Sequence, residues 1–500
     1  MNRAVWLLIA ALACVPGRAR AQAAETPIHW IAEEAAGILP LEDESSLVLR
    51  GVTGMLEVRT GKANELRWAC SVQKGGTKLP LRVGAVGEQR LLVEAPTGDS
   101  AARTVLLVVP SRVNVEVEVE GSSLAATNLE SMLTVRGKDL DVQLSNTANT
   151  VELELEGGRV AADRPRGRTV LRGRPQSATF TNVLGPLSLL TQGGILTVQD
   201  LQVRLDVDVQ DSTLSASGIL APVSVRARGG EITMKNLSAG GDFDLSGALL
   251  HLSAVAGELN VNADAPVEIR ESTAALHVHG IAAPVTVADH HGLVEVETDS
   301  AVVVLSKIDG PLRVRGNSLE LRLDQTSDTG LITSGSSVEA GNVAGALAIE
   351  NDLGDVTVRG VTGKVEVKNR SGNVTLLGLA ATAVVETSSD VLTVGWASLP
   401  MDAEKESVLV NRDGEVRVEL PPGGQLLLEA ESRYGRVESA LDWIRVGDDG
   451  KSAKGMRGRG NVPRLRVVGE GGVQLGGPGS GAALGERSRE PEDDSGGGEP

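Results

Sequence analysis

The stretch GDVTVRGVTGKVEVKNRSGNVTLLG, residues 354–378, states one motif three times. Gly354, Gly363 and Gly372 each open a unit of Gly, a polar residue, then apolar–polar–apolar: Val356-Thr357-Val358, Val365-Glu366-Val367 and Val374-Thr375-Leu376. Successive units therefore begin nine residues apart. A unit this short cannot bury an apolar face alone, whereas copies of it stacked on one another can. A fixed internal period of this kind constrains the fold more tightly than chain length does.

Similar triplets recur from about residue 115 to about residue 392, among them Val203-Arg204-Leu205, Val223-Ser224-Val225 and Leu259-Asn260-Val261. Alternation with period two is strand pattern, because successive side chains point to opposite faces. Gly, Asp, Asn, Ser and Ala-Pro separate the triplets, and these are turn residues. The chain thus reads as all-β: a single-stranded β-solenoid (β-helix) of about nine-residue strand-turn units with β-rich end caps. Two units per coil, about 18 residues, is the favoured repeat. Ala265-Pro266-Val267 stands 18 residues before Ala283-Pro284-Val285, and Gly292-Leu293-Val294 stands 18 before Gly310-Pro311-Leu312. A three-sided coil of about 27 residues is the alternative. In 354–378 the six apolar triplet residues are expected to point inward, and Thr357, Glu366 and Thr375 outward.

The pattern divides the chain into a signal peptide at 1–21, an N-terminal β cap with opening strands at 22–110, and a central solenoid at 111–400. Closing strands follow at 401–475, and a disordered acidic tail at 476–500. Within 22–47, Trp30 and Ile31 are expected to pack over the first coil, since an open strand edge invites aggregation. The N-terminus reads as an export signal: Arg3, an apolar run from Val5 to Val15, then Ala19-Arg20-Ala21 as a cleavage site before Gln22. Ala11-Leu12-Ala13-Cys14 supports a competing reading as a lipoprotein anchored at Cys14. The protein is accordingly expected to be exported, as a periplasmic, cell-surface or secreted chain with no transmembrane span. After cleavage Cys70 is the sole cysteine; its strand context, LRWACSV, predicts a buried structural thiol.

Composition narrows the partners. A formal charge of −18 repels phosphate backbones, so no nucleic acid is expected. Aromatic residues make up 2% of the chain, which disfavours ligands that stack on rings, and a narrow Val-rich interior would leave rings little room. No nucleophile elbow, phosphate-binding loop, HExxH or CxxC is present. The nine-residue units also lack the Gly-Gly-x-Gly-x-Asp turn of calcium-binding β-rolls.

The order of strands toward the two ends adds a resemblance. VLRGVTGMLEVRT (48–60), RLLVEAP (90–96) and a strand through Val109-Pro110 precede the repeats. GEVRVELPPGGQLLLEAESRYGRVES (414–439) and LRVVGEGGVQL (465–475) follow them. Over roughly 45–475 this order resembles a bacterial adhesin family of exported β-solenoid proteins, though with many more central units. The resemblance implies an exported β-solenoid, in a family whose biochemical role is unknown. It brings no catalytic residues, and adhesin is there a label from fold.

Two clusters are candidate sites. Five of the six histidines fall between His251 and His291. His277, His279, His290 and His291 are candidate metal ligands, with Glu295 and Glu297 expected beside His277 and His279 on the next coil. Arg159, Arg164, Arg166, Arg168, Arg172 and Arg174 form a basic stretch on an acidic chain and are candidate anion-binding residues. The leading expectation is a non-enzymatic adhesin-like or scaffold module of the cell envelope with no cofactor, its partner a glycan or protein surface component. A binding module for anionic envelope polysaccharide through the arginines is the first alternative, and a polysaccharide lyase or hydrolase the second.

Overall fold

Alternation gives each short segment one apolar edge, and the turn residues between segments fold the chain back so that those edges face one another. The structure is a computed structural model that describes residues 28–478 apart from 42–44, 63, 73–77, 88, 97–101 and 401–404. The expected signal segment, Cys14 and the tail after Pro478 lie outside the described residues. The described residues are strands and turns without an α-helix, and parallel stacked coils make the fold a β-solenoid. They fall into two compact units divided between Glu156 and Gly157.

In the second unit most coils hold two strands, and Leu205–Ile219 and Val223–Leu237 each run through both faces of a coil as one strand. Val356–Val361 pairs in parallel with Val374–Leu379, Val356 opposite Val374 and Val358 opposite Leu376. The intervening strand Val365–Ser371 pairs instead with Leu347–Leu353 and Ala383–Thr387. Consecutive strands therefore lie in opposite sheets, and the coil is two units, about 18 residues. Val356, Val358, Val365, Val367, Val374 and Leu376 are each at most 1% exposed. Glu366 is exposed, and Thr357 and Thr375 are half-buried, as the alternation requires. Rings do enter the interior, contrary to the expectation from a narrow coil: Phe180, Phe243 and Trp396 are buried in this unit. Phe180 stacks against Ala162 on the preceding coil, where a small side chain leaves room.

The turns impose their own backbone requirement. At one corner of successive coils Asn182, Asp200, Gly218, Asn236 and Ala254 take left-handed φ between 53° and 68°. Asn, Asp and Gly tolerate this conformation better than other residues. At another corner Ala274 has φ 97°, at the place where the following coils carry Gly292 and Gly310. A Cβ on Gly292 would collide with the Ala274 carbonyl, and one on Gly310 with the Gly292 carbonyl. Ala274→Gly is expected to stabilise the protein by about 0.5–1 kcal/mol, the relief of a positive φ less the added entropy of the unfolded chain. Denaturant melts of the two proteins check this; a loss of stability would mean that the Ala274 methyl is needed for packing.

The coils nearest the ends are stacked out of sequence order. In the first unit Ser46–Arg50 lies between Arg90–Glu94 and Asn114–Glu120, in parallel with both. Gly54–Gly61 lies likewise between Arg103–Pro110 and Ser123–Thr127. Antiparallel strands then cover the exposed edge: Leu81–Ala85 on Arg90–Glu94, and Glu65–Val72 on Arg103–Pro110. His29–Glu34 adds to Leu81–Ala85. Trp30 carries the Arg82 guanidinium 3.6 Å above its ring, whereas Ile31, expected to pack inward, is 48% exposed on the other face of the strand. Cys70 is buried and forms no disulfide among the described residues. In the second unit Arg464–Gly469 inserts between Glu406–Asn411 and Leu426–Ser432, and Ser452–Arg457 closes Leu426–Ser432 antiparallel. Both devices remove the row of unpaired N–H and C=O groups that a terminal parallel coil would present.

Candidate binding trough

Outward positions of stacked strands form straight columns, because a parallel register without slippage places equivalent side chains one above another. On one sheet of the second unit five successive strands each show the same residue twice. Gly241–Ser246 shows Asp242 and Asp244, and Leu259–Ala263 shows Asn260 and Asn262. Leu276–Ile281 shows His277 and His279, Val294–Asp299 shows Glu295 and Glu297, and Leu312–Asn317 shows Arg313 and Arg315. Between the two members of each pair stands one buried residue: Phe243, Val261, Val278, Val296 or Val314. The register is Asp242↔Asn260↔His277↔Glu295↔Arg313, with the second members aligned in the same way. These pairs line a trough of about 550 Å³ that also reaches Ser224 and Arg226.

The columns are held by their own contacts. Asn260 Nδ2 donates to Asp242 Oδ1 at 3.0 Å, and Asn262 Nδ2 to Asp244 Oδ1 at 3.2 Å. His277 Nδ1 lies 3.0 Å from Glu295 Oε2, and Arg313 donates to Glu295 Oε1 at 2.8 Å. His279 Nδ1 stands 3.6 Å from Glu297 Oε2. The Arg313 hydrogen bond, with that of His277 added, holds the Glu295 carboxyl below the usual range despite some desolvation. Chemically the trough offers ordered acceptors in its middle and guanidinium donors at both ends, Arg226 beside Asp244 at one and Arg313 and Arg315 at the other.

The sequence-predicted histidines separate. His277 and His279 face outward beside Glu295 and Glu297, as expected. His290 and His291 lie on Val285–His291, in the opposite sheet, as does His251. His290 does not face solvent: it is 1% exposed, with Nδ1 2.6 Å from Ser272 Oγ. His291 is exposed, 3.2 Å from Asp309. The four candidates therefore form no single metal site, because a chain that changes sheet every nine residues sends neighbours in sequence to opposite faces. As the side chains stand, no three His, Cys, Asp or Glu residues converge as metal ligands among the described residues.

The six arginines are also dispersed. Arg159 projects from Arg159–Asp163, and Arg172 and Arg174 from Thr169–Arg174 in the other sheet. Arg164, Arg166 and Arg168 occupy the exposed connection between those strands. Arg164 lies 3.7 Å from Asp163, and Arg174 Nε donates to Gln192 at 2.9 Å.

Burial pushes the His290 imidazole below its ordinary pKa, the nearby His291 adds to this, and hydrogen bonding to the Leu293 and Ala274 backbone opposes it. The unfolded chain then binds a proton at His290 more readily than the folded one. Its effect on stability is absent above the unfolded pKa, about 6.5, and grows as pH falls from there toward the folded value. Unfolding midpoints measured at pH 7 and pH 5 should show a loss of stability at pH 5, and His290→Gln should reduce that loss. An equal loss in the variant would place its origin elsewhere.

Sequence reasoning found the His and Glu pairs and missed the Asp, Asn and Arg pairs of the same columns. The signal was present: D-F-D, N-V-N, H-V-H, E-V-E and R-V-R follow one another at 17 or 18 residues. Comparison with known proteins returned no match to a family model, a curated protein or a solved structure.

Proposed function

We propose that this chain is an exported, non-enzymatic β-solenoid that serves the bacterial cell envelope as an adhesin-like or scaffold module. Its outward columns hold an envelope glycan or protein in an extended arrangement. The trough carries this reading. Five matched pairs in two straight columns, fixed by their own hydrogen bonds and ion pairs, form a polar surface whose repeat suits an extended partner. Within the trough, Glu295 supports a binding role: its carboxyl, held below the usual range by Arg313 and His277, stays ionised as an acceptor.

Cell fractionation, with mass analysis of the N-terminus, tests the location. Sedimentation of the purified chain with envelope fragments, and turnover assays on uronate polymers, test the role. The expected result is an exported chain starting at Gln22, retained by envelope material without turnover. Retention lost on neutralising the six arginines, but kept when Asp244 and Arg315 are replaced, would move the contact to the basic stretch. A cytoplasmic chain with an intact N-terminus, or turnover of any polymer, would overturn the proposal.

A further inference from the structure

We infer that His277 and His279 form a binding site for one divalent transition-metal ion, of the Zn²⁺ or Cu²⁺ class, through their Nε2 atoms. Two imidazoles two residues apart on a strand share a face, so both rings stand over the same stretch of the trough. Each Nδ1 points to a carboxylate of the next coil, His277 to Glu295 at 3.0 Å and His279 to Glu297 at 3.6 Å. An ionised carboxylate only accepts hydrogen bonds, so the 3.0 Å bond to Glu295 puts the proton of a neutral His277 on Nδ1 and leaves its Nε2 the lone pair, while His279 faces Glu297 at ion-pair rather than hydrogen-bond distance. This is the arrangement in which a carboxylate orients a histidine and raises its basicity toward a metal. Glu295 is itself anchored by Arg313 at 2.8 Å.

The preceding coil completes the environment. Asn260 and Asn262 commit their amide NH₂ groups to Asp242 and Asp244, which leaves their Oδ1 atoms as acceptors next to the histidines in the register. The middle of the trough thus presents two imidazole nitrogens and two amide oxygens, with carboxylates on both flanks. That set is rich in lone pairs and suits a borderline cation better than an anion or Mg²⁺. Because Glu295 and Glu297 serve the rings from behind, only two protein nitrogens ligate directly, and water fills the remaining positions. The inference does not depend on the scaffold reading.

Titration calorimetry and equilibrium dialysis of the full mature chain with Zn²⁺, Cu²⁺ and Mg²⁺ test it. One Zn²⁺ or Cu²⁺ per chain is expected, and no Mg²⁺. The double variant His277→Ser/His279→Ser should lose the ion at least 100-fold. Glu295→Gln should weaken binding about 10- to 100-fold, as loss of an orienting carboxylate does. His251→Ser/His291→Ser should leave binding unchanged. Electron paramagnetic resonance of the Cu²⁺ form should show two imidazole nitrogens. An unchanged denaturation midpoint in the double variant keeps loss of binding distinct from loss of fold. Absence of binding in the parent chain, unchanged binding in the double variant, or equal binding of Mg²⁺ would overturn the inference.

Discussion

Val365→Asp is expected to destabilise the protein by about 3–5 kcal/mol, enough to open the coil locally, whereas Glu366→Lys should change stability by about 0.5 kcal/mol. The two positions are adjacent in sequence and opposite in environment. Val365 is 0% exposed, stacked between Leu347 and Ala383 in an apolar column. A carboxylate there finds no cation or donor, and it must be protonated or drag water into the interior. Glu366 points outward and pairs with Lys364 at the surface, where an ion pair contributes little. Denaturant melts of the two purified variants read the contrast directly. Equal tolerance of both, or damage confined to Glu366→Lys, would mean that the register is wrong.

The second large effect concerns a polar column inside the stack. Asn369→Ala should cost about 2–4 kcal/mol, while its exposed neighbour Arg370→Ala should stay within about 0.5 kcal/mol. Asn369 is 2% exposed, and its Nδ2 lies within hydrogen-bond distance of the carbonyls of Gly354 (3.1 Å), Ser371 (3.0 Å) and Gly372 (3.2 Å). Asn351 does the same one coil earlier, reaching the Ser336 carbonyl at 3.0 Å and that of Leu353 at 3.1 Å, and its Nδ2 also lies 3.2 Å from Asn369 Oδ1. Thr333 Oγ1 donates to Asn351 Oδ1 at 2.9 Å and extends the column. These amides satisfy carbonyls that the turn at Gly354 and Gly372 takes out of the sheet. Removing Asn369 takes a donor from the part-buried Gly354 and Gly372 carbonyls and breaks the link to Asn351, while the Ser371 carbonyl keeps the Gly354 N–H; a stranded acceptor costs more than the hydrogen bond itself contributes. Thermal melts of Asn369→Ala and Asn369→Asp compare removal of the amide with its replacement by an acceptor. If both variants melt with the parent, the column has no part in closing the corner.

These Asn residues show where local reading reaches its limit. In sequence, Asn351 and Asn369 look like the turn residues around them, yet both end buried, because the coil bends at that point and needs donors within. Asn182 and Asn236 are ordinary turn asparagines with positive φ. Composition alone does not separate the two uses. The decision depends on which carbonyls the bend strands, and that is set by the coils above and below.

The histidines make the same point for the candidate site. His277 and His279, two residues apart on one strand, kept the relation that their spacing implies. His290 and His291 lie only about a dozen residues further along, yet they stand in the other sheet, one of them buried. The trough itself was legible as five matched x–apolar–x triplets, but only once the coil length was fixed at two units. With a three-sided coil the same residues would be distributed differently, and no column would run from Asp242 to Arg313.

What the sequence determined by itself is whatever strand alternation and a fixed period control: an all-β solenoid, strands of a few residues, and which apolar side chains of the triplets enter the core. Those properties are local, since inward and outward positions follow from the pleat of each strand, and burying one face of every unit leaves a single register open. Only the tertiary structure decided the rest. Ser46–Arg50 stacks between Arg90–Glu94 and Asn114–Glu120, and Arg464–Gly469 between Glu406–Asn411 and Leu426–Ser432. Any of these strands carries the same alternation and could pair with any other. The order is chosen by how the end edges are covered, through antiparallel strands that no repeat announces. The pairing of Asp with Asn and Glu with Arg across coils is likewise a property of the stack, because each contact joins residues a full coil apart; the pairing of His with Glu already followed from the 18-residue period.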